Sequence, residues 1–193
     1  MINALYEHFP ETVMINGKEY QVLTDFRDWL RFADMLEDKD IPDREKLFMM
    51  AQWLEDAPAV ISKEVVTALC RFYRANELEQ DIPEDVDGDT DEIRRPPVIS
   101  WKIDAKYIIG DFLRYYRIDL LTAEMHWWKF RTLLSALPDE SQMMKRIAYR
   151  SADLSLIKNE AERKRIMRMQ QLYALPFELD DEDIGAVFAG GVM

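Results

Sequence analysis

A chain of 193 residues that is 48% hydrophobic, with five Trp, eight Tyr and nine Phe, carries enough apolar material for one domain or two small ones, which excludes a disordered protein. Its formal charge of −12 comes with a single cysteine, Cys70, so an intrachain disulfide framework is excluded, and no Cys and His cluster is available to hold zinc. No stretch approaches the roughly 20 apolar residues that span a bilayer, and the start, "MINALYEHFPETV", lacks a basic flank, so a cytoplasmic location with no membrane partner is expected.

The charge is unevenly spread. Residues 1–97 hold 23 acidic and 11 basic side chains, hence −12, whereas residues 98–193 hold 14 of each. Acidity concentrates in "NELEQDIPEDVDGDTDE", Asn76 to Glu92, and again in "ELDDED", Glu178 to Asp183. Between those runs, residues 98–176 carry 14 basic against nine acidic side chains.

In chain order, "TVMINGKEYQV" places Asn16 and Gly17 between alternating residues, the signature of a type I′ turn and so of a β-hairpin. "TDFRDWLRFADMLED" follows, with Thr24 or Asp25 as N-cap and Phe26, Trp29, Leu30, Ala33 and Leu36 on one helical face. Pro42 opens a second helix whose stripe is Leu47, Met50, Ala51 and Leu54. Ser62 caps a third, with Val65, Val66, Leu69, Phe72 and Tyr73 together.

After Asn76 the pattern stops. The acidic run passes into "RRPPV", where two prolines mark a linker. Read from Asp85 as a calcium loop, the run would need Gly at its sixth position and Glu at its twelfth, but Thr90 and Pro96 stand there. Clustered carboxylates with little apolar surface are expected to stay solvated and mobile instead. Beyond the linker, "DAKYIIGDFLRYY" puts Ala105, Ile108, Phe112 and Tyr115 on a stripe, which "RIDL" interrupts. "EMHWWKFRTLL" makes the next helix, Pro138 ends it, "DESQMMKRIAYR" begins a short one, and "LSLIKNEAERKRIMRMQQLY" forms a long charged last helix.

The expected fold class is therefore mostly α: a helical protein with one N-terminal β-hairpin and two helical lobes joined by an acidic linker. The hairpin and first helices occupy residues 1–76, the linker 77–97, the C-terminal lobe 98–176, and an acidic, glycine-containing tail 177–193 that is expected to fray.

Nothing in the chain assembles a catalytic constellation. His8 and His126 lie in unrelated contexts, and six glycines form neither a phosphate loop nor a nucleophile elbow, so no catalytic residue, metal or cofactor is expected. Cys70, within "VVTALCRFY", reads as a small core residue. Lys158, Arg163, Lys164, Arg165 and Arg168 in the last helix would suit phosphate contacts, but Glu160 and Glu162 dilute them and the chain's overall negative field opposes nucleic acid, which makes a nucleic-acid-binding helical protein the least favoured reading.

The adjacent tryptophans cannot share a face. Trp127, Phe130, Leu133, Leu134 and Leu137 gather with His126 on a core face. Trp128 falls on the far side near Leu121, where either another helix of the chain covers it or it anchors a partner protein. Trp128 and Leu121 are therefore candidate partner-binding residues, and Met143 and Met167, on the Met-rich and Arg-rich stretch from Met143 to Met169, are further candidates.

"IDAKYIIGDFLRYYRIDL", then "MHWWKFRTLLSALP", "IAYRSADL" and a charged helix ending "YALP", together with "TDFRDWLRF", resemble the bacteriophage gene-product-fifteen family of prophages and tailed phages. The resemblance covers residues 12–176. It implies no catalytic activity, and instead a protein of the tail gene cluster, similar in position to tail assembly chaperones. The implied partners are the tape measure protein and possibly tail tube subunits, with oligomers possible. The alternative it leaves is a structural tail or connector component retained in the virion.

Overall fold

A computed structural model describes residues 5–75 and 98–176. The expected linker and tail lie outside the described residues. A two-stranded antiparallel hairpin, β1 (Thr12–Ile15) and β2 (Lys18–Gln21), pairs Ile15 with Lys18 and Thr12 with Gln21. Asn16 and Gly17 between them have φ of 51° and 76°. Positive φ at both positions is what a type I′ turn requires, and Asn-Gly meets that demand at the least steric cost.

Seven α-helices follow among the described residues, giving a mostly α protein: α1 (Phe26–Glu37), α2 (Asp43–Met50), α3 (Lys63–Arg74), α4 (Trp101–Asp111), α5 (Trp127–Ser135), α6 (Gln142–Ser151) and α7 (Glu160–Tyr173). Local chemistry starts several of them. Asp25, Ser100, Ser141 and Asn159 each accept a hydrogen bond from a backbone N–H of the first turn of α1, α4, α6 and α7, satisfying donors that the helix leaves orphaned. Helix α4 widens into a π-helical segment at Phe112–Tyr116, and Arg117, in the left-handed region at φ 60°, ends it.

Helix α2 is shorter than its apolar spacing suggested. It ends at Met50 and tightens into a 3-10 turn at Ala51–Trp53, so Leu47 stays exposed while Trp53 turns inward and donates from Nε1 to the Asp28 carbonyl at 2.9 Å. Met50 and Leu54 of the expected stripe are buried all the same.

The segments before and after the linker share one hydrophobic cluster. Trp29, Phe32, Val65, Leu69 and Phe72 from the first meet Ile108, Phe112, Trp127, Trp128 and Phe130 from the second. Backbone hydrogen bonds stitch them too: Phe26 N–H donates to the Met125 carbonyl at 2.9 Å and Trp127 N–H to the Thr24 carbonyl at 2.7 Å. The two segments are halves of one core.

Candidate partner-binding surface

Helix α3 ends in the left-handed residue Ala75, whose N–H reaches the Arg71 and Phe72 carbonyls. The last carbonyls of any helix lack intrahelical donors. Here the adjacent tryptophans supply them: Trp128 Nε1–H donates to the Phe72 carbonyl at 2.9 Å and Trp127 Nε1–H to the Tyr73 carbonyl at 2.8 Å. Both indoles are enclosed, at 0% and 2% exposure for Trp127 and Trp128. Trp127 stacks on Tyr73 at 5.4 Å between ring centroids, and Trp128 meets Phe72 at 5.4 Å and Phe9 at 6.3 Å.

Of the two readings of Trp128, that arrangement bears out cover by another helix of the chain and leaves no exposed indole to serve as an anchor. Its covering partner is the C-terminus of α3, and the polar-looking side of α5 is occupied because an indole N–H finds a carbonyl there. Met143 is also interior, at 0% exposure, with its N–H donating to Asp111 Oδ2 at 2.7 Å. Packed against α4 in this way, it is not available at the surface. Leu121 and Met167 are exposed, at 72% and 43%. Leu121 sits in the loop between the π-helical segment and α5, and Met167 lies on α7, so the structure does not gather the four residues into one patch.

His126 is the N-cap of α5 rather than a member of its helical face. Nδ1 accepts from Trp128 N–H at 3.0 Å and Nε2 lies 3.0 Å from the Pro10 carbonyl, which defines a neutral ring protonated on Nε2. Burial pulls the pKa of His126 below its ordinary value, opposed by the Pro10 carbonyl and the charge of Glu11. Phe9 stacks on the imidazole at 5.2 Å. Through this histidine, the segment leading into β1 is fastened to the start of α5.

Between β1 and α3 a groove of about 570 Å³ opens to solvent, lined by Pro10, Val13, Met14, Lys63, Ala68 and Arg71, with Phe72 and Trp128 also on its wall. Trp128 thus touches a surface feature by one edge while remaining a core residue. Met14, 62% exposed, stands at the groove on β1, and β1 has β2 as its only strand neighbour among the described residues. Lys63 and Arg71 against Glu64 make the rim mildly basic.

Two carboxylates outside the predicted partner-binding set hold the C-terminal helices together. Asp104, fully enclosed on α4, receives Arg150 of α6 through Nη1 at 2.6 Å and Nη2 at 2.9 Å, and also the Ser100 N–H at 3.0 Å. The same guanidinium donates to the Val98 and Tyr173 carbonyls, tying α4, α6 and the end of α7 to one side chain. Asp111 accepts from the Gln142 and Met143 N–H groups at the positive end of α6. The signal for both was present: Asp104, Ile108 and Asp111, spaced four and three, put two acids on an apolar stripe. Arg146 lies over the Tyr107 ring at 3.3 Å and faces Tyr173 at 4.8 Å.

Among the described residues, no group of three or more His, Cys, Asp or Glu side chains is placed to hold a metal ion, and no helix is long and apolar enough to cross a membrane. Cys70 is half-buried, and burial pushes its thiol pKa up, away from the reactive thiolate. A family model described as "Bacteriophage Gp15 protein" matches residues 5–175. No curated protein and no solved structure matches.

Proposed function

The chain belongs to the bacteriophage Gp15 protein family, and on that premise we propose that it is a non-enzymatic tail assembly chaperone that binds the tape measure protein in the host cytoplasm before or while tube subunits polymerise around it. The observation that supports a binding role is the β1–α3 groove, in which Met14, Val13 and Ala68 face a basic rim of Lys63 and Arg71. A tape measure is a long, largely helical chain whose apolar stripe invites aggregation. A groove of this kind accepts the spaced apolar anchors of one helical face, and a flexible methionine at its lip adapts to several of them. The chain's net charge of −12 favours solubility of such a complex.

The test is co-expression and pull-down of the chain with the tape measure protein of the same phage. Wild-type protein is expected to retain the tape measure protein in the soluble fraction. Thr67→Trp, which fills the groove from an exposed position on α3, is expected to weaken capture at least about tenfold, a change of about 1.4 kcal/mol. Failure of the wild-type chain to capture its neighbour would overturn the proposal. Mass spectrometry of purified virions separates this reading from a structural one, since a chaperone is absent from finished particles and a connector is stoichiometric in them.

A further inference from the structure

The two described segments carry opposite net charge. Residues 5–75 carry 14 acidic and nine basic side chains, and residues 98–176 carry nine acidic and 14 basic, so the two segments have formal charges of −5 and +5. Each charge has a focus on the surface. On the acidic side, Asp34, Glu37, Asp38 and Asp40 stand exposed at the end of α1 and in the turn that follows. The carboxyl of Glu37 is raised above its ordinary value by burial and by the adjacent charge of Asp34, which marks the cluster as crowded. Phe48, 64% exposed, is on α2 just beyond that turn.

On the basic side, α7 buries no residue although it is 14 residues long. It packs against α6, where Tyr173 meets Tyr149, and it is pinned at its C-terminal end, where Gln170 Nε2 donates to the Ala152 carbonyl and Arg150 to the Tyr173 carbonyl. Its opposite face holds Arg165, Arg168 and Leu172, spaced three and four and all exposed. Lys164 is engaged with Glu160 at 2.8 Å, but no ion pair to Arg165 or Arg168 occurs among the described residues. A helix of this length that buries so little is marginal by itself and gains from being covered.

We propose that copies of this chain associate head to tail, with the Arg165, Arg168 and Leu172 face of α7 on one copy seated on the Asp34, Glu37, Asp38 and Asp40 corner of the next. Charge complementarity selects the occupant: every copy carries both halves of the contact, two arginines on α7 and, at the corner, four carboxylates with Lys39 among them. Because the two faces differ, the contact is heterologous, and a pair keeps one acidic corner and one α7 face free to add further copies. The inference does not depend on the tape measure reading, since no tail protein takes part in it.

The experiment is sedimentation velocity of the full chain over a concentration series at low and high salt. The wild type is expected to sediment faster as concentration rises at low salt, and to lose that dependence at high salt, where the screening length falls from about 10 Å at 0.1 M to about 3 Å at 1 M. Arg165→Glu with Arg168→Glu, and separately Asp34→Lys with Glu37→Lys, are each expected to sediment as monomers with an unchanged far-ultraviolet circular dichroism spectrum. Mixed one to one, the two charge-reversed proteins are expected to associate again, because the reversed faces complement each other. A wild type that remains monomeric at low salt overturns the proposal, as does association that survives either reversal or a mixture that stays monomeric. Monomers throughout would leave the α7 face to a different acidic protein.

Discussion

Helix α5 has nine residues and buries Trp127, Trp128, Phe130 and Leu134, whereas α7 has 14 and buries none. The first is held by apolar contact on several sides, by two indole hydrogen bonds and by a histidine cap. The second is held along one edge, mainly by polar bonds near its C-terminus. Stability is concentrated where aromatic rings close around α3 and α5. Surface left over from folding, on α7 and along the β1–α3 groove, is where association can be gained without loss of the core.

The sharpest way to break this contrast is to truncate the tryptophans. Trp127→Ala and Trp128→Ala are each expected to cost about 3 to 5 kcal/mol in chemical denaturation, since each leaves a cavity and removes an indole hydrogen bond to a carbonyl at the end of α3. Loss of less than about 1 kcal/mol for Trp128→Ala would show that α5 does not depend on it and that the contrast is drawn in the wrong place.

Next in size is the polar clamp. Arg150→Met strands the enclosed Asp104 carboxylate and is expected to destabilise by about 3 kcal/mol or more. Adding Asp104→Leu should recover part of that loss, because a buried pair removed together costs less than one partner removed alone. Thermal melts of the single and double variants measure it, and equal melts would mean that the clamp is solvated.

A smaller effect separates α5 from the rest by pH. The lowered pKa of His126 means that the unfolded chain binds the proton more readily than the folded one, so the stabilising contribution is complete above the unfolded value near 6.5 and is lost as pH falls through the folded value. Protonation also removes the Nδ1 lone pair that receives the Trp128 N–H. Denaturation midpoints are expected to fall between pH 7 and pH 5, and His126→Asn, which can still cap a helix, should flatten that slope at a cost of about 1 kcal/mol at pH 7.

The smallest changes belong to the exposed side. Met167→Ala and Leu121→Ala are expected to stay within about 0.5 kcal/mol of wild type. A larger loss for Met167→Ala would show that α7 contributes to the core after all.

The parts legible in the sequence are those whose cause is local. The Asn16-Gly17 hairpin, the caps at Asp25 and the core face of Phe26, Trp29 and Ala33 follow from spacing and turn chemistry, and all are present. The place of Trp128 was not legible, because the carbonyl that receives its indole lies 56 residues earlier, at Phe72. Helical periodicity gives the direction of a side chain, but not what stands there. Spacing alone places His126 beside the apolar stripe of α5, although its bond to the Trp128 N–H makes it a cap. The groove depends on how β1 lies on α3, which no single segment encodes.

Hydrogen exchange of the chain, free and in complex with the tape measure protein proposed as its partner, tests the account most directly. In the free chain, amides of α5 should exchange near the rate of global unfolding and those of α7 much faster. In the complex, slowing is expected along β1 and α3, where they line the groove, with no change in α5. Unaltered exchange along β1 and α3 in a complex that has formed would contradict the assignment of the groove.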